Sequence, residues 1–154
     1  MQSRQQDYAA GIFEQVSKLK EEKRKEKEAE FARKGQESAP ERDRKEQIDK
    51  AVKDALKPYG SMAHQLPVLV RSAGLAQALA FVDARGSDLQ KRLLDHLADV
   101  VIDKGKSERT GAALVTASRK ADLTAYMIMT ERVLAALIWY KRFAQSVLDV
   151  AHGE

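Results

Sequence analysis

Apolar side chains recur at helical spacing along almost every part of this chain, and that recurrence restricts the fold to helices. Near the N-terminus the apolar residues fall on one helix face at Tyr8, Ile12, Val16 and Leu19. No run alternates apolar and polar residues between hairpin turns, and the 154 residues include only three prolines and eight glycines. We therefore predict an all-α protein, a single small bundle of about five to six helices with a long C-terminal helix.

The first helix is predicted to begin near Gln5 and to end at Gly35. Its apolar stripe stops early, and Lys18 to Lys34 is a lysine- and glutamate-rich run with opposite charges three and four residues apart. Such a run is typical of a solvated helix or a linker. An RNA-facing arm is the alternative, which the equal number of glutamates disfavours.

The second helix is predicted to begin with a capping box formed by Ser38 and Glu41. It should end before Pro58, because the residue preceding a proline avoids helical geometry. We expect residues 1–57 to form an N-terminal helix and a charged helical arm that pack on a helical core. Residues 58–154 supply that core, and the whole chain forms one domain.

Proline and glycine divide the predicted core. Pro67 must lie in the first turn of a helix or produce a kink, and Gly74 permits a second break or a close helix contact. A helix capped by Asp88 is predicted to continue through Lys104, with Gly105 just after its end. Residues 107–118 form one or two helical turns, and the final helix extends from about residue 122 to residue 150.

The sequence lacks the residue patterns that catalysis and metal binding require. It contains no cysteine, no glycine-rich phosphate loop and no nucleophile elbow. No two of its histidines lie three or four residues apart, the spacing that a helical metal site needs. His96 is expected to be a solvated side chain on a polar helix face. We predict no catalytic residue, metal or cofactor. An all-helical enzyme that gathers Arg71, Gln77 and Lys141 is the less favoured alternative.

Basic residues outside the charged arm are the better functional signal. The net charge is only +4, with 15 lysines and arginines against 13 acids in residues 1–57 and 12 against 10 in residues 58–154. Such a weak field binds RNA only where cations gather on one face. Candidates for that face are Arg71 and three adjacent pairs: Lys91 and Arg92, Arg119 and Lys120, and Lys141 and Arg142. The alternative is that they only solubilise the surface.

Aromatic residues lie beside the last of these pairs. Trp139 and Tyr140 offer rings on which bases could stack. Trp139 lies on an apolar helix, however, and its placement there favours a core position.

Several motifs, taken in order, resemble a known family. They are Tyr59-Gly60-Ser61, the block from Leu66 to Leu75, Ala80-Phe81 and the block from Trp139 to Ala144. The N-terminal Gln6-Asp7-Tyr8-Ala9 and Val16 add to the resemblance. Together they are similar to the small helical subunit, the fifth, of the type III-B CRISPR effector called the Cmr complex. Val68 and Ala73 depart from the family pattern, and the charged stretch from Lys20 to Lys57 is longer than its usual connection.

The resemblance implies a non-catalytic protein of antiviral defence. Such subunits stack with copies of themselves as the minor filament of a ribonucleoprotein, beside the Cmr backbone subunits. They contact guide RNA and target RNA through the sugar-phosphate backbone. On this resemblance Arg71, Lys141 and Arg142 would contact RNA. The resemblance also implies structural roles for Pro67, Gly74, Trp139 and Phe143.

Two alternatives to this interpretation remain. The small subunit of a type III-A (Csm) complex is also helical and basic, although it fits the motif blocks less well. A helical adaptor that binds only protein, with the charged arm as its docking element, would need no RNA contact. The absence of a long apolar run predicts a cytoplasmic protein without a membrane partner.

Overall fold

The computed structural model describes residues 2–35 and 40–153 and contains six helices in that part of the chain. The bounds are α1 Arg4–Arg33, α2 Glu41–Ala73, α3 Leu75–Arg85, α4 Asp88–Val101, α5 Gly111–Lys120 and α6 Leu123–Ser146. The prediction of an all-α bundle with a long last helix is confirmed. No helix in the described ranges is long and apolar enough to cross a membrane. The capping box predicted at Ser38 lies outside the described residues.

Helix α1 forms as its sequence predicts. Ser3 and Gln6 build a capping box at its start, which satisfies backbone donors that the helix leaves free. The four apolar residues of the predicted stripe are all buried. The charged second half of α1 lies beside the first half of α2, where Arg24 pairs with Asp49 and Phe31 is half-buried against the core. The arm therefore has some packing of its own.

The predicted break before Pro58 is wrong, because α2 continues through both Pro58 and Pro67. Each proline removes one backbone hydrogen bond from the helix interior. Packing offsets that loss, because one stripe of buried residues continues past both prolines at intervals of three and four residues. Its members are Ile48, Val52, Leu56, Tyr59, Ala63, Leu66 and Val70. The position between residues 57 and 58 thus lies inside one helix.

Three further predicted helix ends are corrected. Ser87, rather than Asp88, caps α4, and its hydroxyl accepts the backbone N–H of Gln90 in a second capping box. Helix α4 ends at Val101, because Ile102 already has extended geometry. Helix α6 ends at Ser146, several residues earlier than predicted.

The residues after α6 complete the core. Leu148 and Val150 are buried, although both lie beyond the last helix. Val150 packs against the backbone of α2 at Gly60, where an added Cβ would lie 2.7 Å from the Val150 Cβ. The Lys20 ammonium donates to the Val147 carbonyl at 2.8 Å, so this tail joins α1, α2 and α6.

Candidate nucleic-acid interface

A surface groove of about 420 Å³ lies between the end of α2 and the second half of α6. Arg71 lines it from α2, while Lys141 and Arg142 line it from α6. The rest of its lining is apolar or amide, with no carboxylate: Pro67, Leu134, Leu137, Ile138 and Gln145. Three of the seven predicted RNA-contacting cations therefore meet on one surface.

Helix periodicity explains how α6 presents these cations. Val133, Ala136, Leu137, Tyr140 and Ala144 are its buried residues, so its inward stripe is fixed by the core. Lys141 and Arg142 follow Tyr140 directly and are exposed. They must therefore project from the side of the helix that the bundle leaves open.

Helix α2 supplies Arg71 from its last turn. The helix stops two residues later at Ala73, because Gly74 has a φ of 88°, a value that glycine adopts without strain. Helix α3 then begins at Leu75, and the Tyr126 hydroxyl accepts the Ala76 N–H at 3.1 Å. Of the two options predicted for Gly74, a helix break or a close helix contact, the structure shows the break, and it places Arg71 in the last turn before that break.

The cations of the groove have no acidic partner among the residues that the structure describes. Within the described ranges, Arg71, Lys141 and Arg142 form no ion pair. Arg142 instead lies over the Trp139 ring, with its guanidinium carbon 5.4 Å from the ring centroid. Cations that are exposed and unpaired retain their full capacity to bind an anion.

The other predicted cations lie elsewhere. Lys91, Arg92, Arg119 and Lys120 are exposed, but none of them lines the groove. Arg92 donates to the Glu22 carboxylate of α1 at 2.9 Å, so its charge is already balanced. The structure therefore brings together one predicted pair and Arg71, and leaves the other two pairs outside.

Aromatic side chains continue this surface from α6 toward α1. Trp139 and Phe143 stack with ring centroids 5.8 Å apart, and Phe13 and Phe143 meet edge to face with centroids 5.4 Å apart. The Trp139 indole N–H donates to Gln5 at 2.9 Å. Trp139 and Phe143 are only half-buried and pack on the outside of the core.

A polar network lies on the opposite, inward side of α6. The Tyr140 hydroxyl donates to Gln15 at 2.5 Å, and the Gln15 amide donates to the His96 carbonyl at 3.0 Å. The Tyr59 hydroxyl lies 2.8 Å from His96 Nδ1. These bonds connect α1, α2, α4 and α6, and they correct two predictions. His96 is half-buried and bonded to Tyr59 rather than freely solvated, and fully buried Tyr140 has no face on which a base could stack.

Burial determines the protonation of this network. It lowers the pKa of His96 to about 4, with the nearby Arg92 charge as a second cause, so the imidazole is neutral at pH 7. Burial also raises the pKa of Tyr59 and of Tyr140 above the ordinary value, which keeps both phenols protonated. At pH 7 the imidazole and the two phenols of this network are therefore all uncharged. In the described part of the chain no three His, Asp or Glu side chains are grouped to hold a metal ion.

Sequence reasoning missed several residues of this surface. Ile138 and Gln145 line the groove, and Phe13 extends the aromatic surface. Phe13 carries the one usable signal, because it is a large aromatic residue that falls off the predicted stripe of its helix. Gln145 shows no such signal, since only the position of α2 reveals which face of α6 forms a groove.

Comparison with known proteins identifies the family. The family model described as CRISPR-associated protein (Cas_Cmr5) matches residues 36–147 of this chain. The chain belongs to the Cmr5 family. A relative from Thermus thermophilus, the CRISPR system Cmr subunit Cmr5, is 48% identical over 91 residues, which are 59% of this chain and 75% of that protein.

A solved structure supports the same family assignment. The crystal structure of a CRISPR-associated Cmr5 family protein, also from Thermus thermophilus, matches with a TM-score of 0.64 and 36% sequence identity. The match covers 96% of this chain and 98% of that chain. All the groove residues lie inside the range that the Cmr5 family model matches, whereas α1 lies outside it.

Proposed function

We propose that this protein is a non-catalytic subunit of a Cmr-type (type III-B) CRISPR effector and that its groove contacts the phosphates of RNA. Membership of the Cmr5 family supports the proposal that this chain is part of a Cmr-type effector, because a relative in the same family carries the name of a Cmr subunit. In this proposal copies of the chain stack along the effector beside its backbone subunits. The subunit supports the channel in which target RNA pairs with the guide.

One observation supports the RNA contact: three cations from two helices, with no ion pair to any described residue, share a groove whose lining includes no carboxylate. Phosphate groups bind lysine and arginine through charge and hydrogen bonds, with no need for base recognition. A bidentate arginine contact adds geometric fit, and two of the three cations are arginines. Lys91, Arg119 and Lys120 remain proposed secondary contacts, because they are exposed and outside the groove.

The weak net charge of the chain agrees with this proposal. At +4 the whole surface attracts RNA poorly, and several cations of α1 and α2 form ion pairs with glutamates and aspartates. Binding must then depend on the local arrangement in the groove. Removing a few cations there should matter more than removing as many elsewhere.

The test compares two triple variants of equal charge change. One replaces Arg71, Lys141 and Arg142 by alanine; the control replaces Lys18, Arg42 and Lys57, which pair with acids on their own helices. We expect the groove variant to bind a single-stranded RNA oligonucleotide about tenfold more weakly than the control. The slope of log K against log salt should fall by roughly two, since each lost phosphate contact removes about 0.7.

Both variants should also be assembled into the effector. We expect the groove variant to assemble but to protect target RNA less well from nuclease than the control variant does. Unchanged affinity and unchanged protection in a folded groove variant would contradict the RNA contact. That result would favour the adaptor that binds only protein.

A further inference from the structure

We infer that the aromatic ridge beside the groove, formed by Phe13, Trp139 and Phe143, stacks an unpaired base of the RNA whose phosphates occupy the groove. This inference rests on the proposed function and adds to it a preference for single strands. The groove alone would bind any strand that presents phosphates at a suitable spacing. The ridge would bind only a strand with accessible base faces.

The ridge is a continuous row of rings across two helices. Successive centroids lie 5.4 Å apart from Phe13 to Phe143 and 5.8 Å apart from Phe143 to Trp139. The indole of Trp139 is oriented by its hydrogen bond to Gln5. The three rings therefore hold a fixed arrangement on the surface.

Phe13 is the exposed member of this row. Its side chain is 51% exposed, although it lies next to Ile12, which is fully buried. A single exposed apolar residue needs no explanation. Here, however, the exposed ring continues a stacked aromatic pair and an arginine, and that combination is typical of surfaces that hold nucleobases.

Arg142 joins the ridge to the groove. Its side chain lines the groove, and its guanidinium carbon lies 5.4 Å from the centroid of Trp139. A nucleotide bound here meets the Arg142 cation for its phosphate and, next to that residue, a row of rings for a base. Groups for both parts of a nucleotide are thus contiguous on one surface.

Base pairing decides which strands can use the ridge. In a duplex each base is stacked between its neighbours and presents no free face to a protein surface. An unpaired base can turn outward and stack on an aromatic ring, a contact that tolerates any base. The ridge should therefore strengthen binding to single strands and leave duplex binding unchanged.

The experiment measures affinity of the full chain for three probes. They are an unstructured single-stranded RNA, the same strand annealed to its complement, and inorganic polyphosphate. We expect Phe13→Ala to weaken single-strand binding about five- to tenfold. Its affinity for the duplex and for polyphosphate should stay within about twofold of the wild type, because the groove cations are intact. Phe13→Tyr keeps the ring and should bind as the wild type does.

Phe81→Ala is the matched control, because Phe81 is 49% exposed on α3 and belongs to neither the ridge nor the groove. It should leave all three affinities unchanged. Trp139 is the single tryptophan of the sequence, so its fluorescence reports on the ridge directly. Single-stranded RNA should quench that fluorescence more strongly than polyphosphate does at equal occupancy.

Two results would overturn the inference. If Phe13→Ala leaves the ratio of single-strand to duplex affinity unchanged, no base stacks on the ridge, even where the groove variant of the previous subsection binds weakly. If Phe13→Ala leaves RNA binding intact but prevents assembly into the effector, the ridge is a protein contact. A groove variant with normal RNA affinity would instead contradict the proposed function itself.

Discussion

The two sides of the second half of α6 hold polar groups under opposite conditions. On the inward side, the Tyr140 hydroxyl is buried and bonded to Gln15, within a network that joins four helices. On the outward side, Lys141 and Arg142 are exposed without acidic partners in the described part of the chain. Residues that are neighbours in sequence therefore differ in role, since partnered groups stabilise the bundle and unpartnered groups can bind a ligand.

Ion pairs elsewhere extend this contrast. Arg24, Arg92, Arg109 and Arg132 each meet a carboxylate from another part of the chain. These arginines connect segments of the fold, and their charge is balanced locally. The same residue type thus has a structural role in one region and a proposed binding role in the groove.

The largest expected effect comes from comparing neighbours on the two sides. Tyr140→Ala removes a fully buried ring and leaves Gln15 without its donor, so we expect the free energy of unfolding to fall by about 3–5 kcal/mol. Lys141→Ala, the adjacent outward residue, should change it by less than about 0.5 kcal/mol. Urea denaturation followed by circular dichroism measures both. Equal losses would contradict the assignment of the two sides.

Acid should weaken the inward network. The pKa of His96 is lowered to about 4 in the folded protein, whereas the unfolded chain has the ordinary value of 6.5. Between these values the unfolded chain binds a proton that the folded protein does not, so stability falls as the pH drops through this window. The loss is up to about 1.4 kcal/mol per pH unit, or about 3 kcal/mol in all, and the full contribution is present above pH 6.5.

His96→Asn is the control for that pH dependence, since its amide can still meet the Tyr59 hydroxyl but does not titrate. Stability should be measured from about pH 4 to pH 7 in both proteins, because carboxylates contribute to both curves equally. We expect a shallower slope in the variant. Parallel curves would show that His96 is not shielded from solvent.

The contact between the C-terminal tail and α2 should tolerate little added volume. Gly60→Ala adds a Cβ where the Val150 side chain already lies within 2.9 Å, so we expect a loss of about 1–3 kcal/mol. Val150→Ala removes Cγ1 and Cγ2, two of the three crowding atoms, and leaves only the Cβ. The double variant should therefore be more stable than the sum of the single changes predicts. If the losses of stability in the two single variants simply added, Val150 would not contact Gly60.

Local patterns predicted most of the fold but not all of its boundaries. The helix stripes followed from residue spacing, and the backbone freedom of Gly74 gave a helix break as one of two options. The proline rule failed at Pro58, because Leu56 and Tyr59 are both buried on the same side and their packing outweighs one missing hydrogen bond. Such an outcome depends on contacts between helices, which a single sequence does not display.

The candidate site was predictable only in part, for a related reason. Basic pairs are visible in the sequence, but their partners are not: Arg92 faces Glu22, 70 residues away, while Arg142 faces a tryptophan. The burial of Tyr140 next to half-exposed Trp139 likewise depends on a rotation of α6 that the apolar character of both residues leaves undetermined. Family resemblance supplied Arg71, Lys141 and Arg142 as a set, and the structure brings those three together in one groove.

The smallest expected effect tests the paired class of cations. The pair between Arg92 and Glu22 is 2.9 Å long, but both side chains are nearly half exposed, so water and salt screen it. Arg92→Ala should lower the free energy of unfolding by less than about 1 kcal/mol, and added salt should shrink that difference. Because the charge is already balanced by Glu22, the same variant should weaken RNA binding less than Arg142→Ala does. If Arg92→Ala weakened RNA binding as much as Arg142→Ala, a local carboxylate would not distinguish structural cations from binding ones.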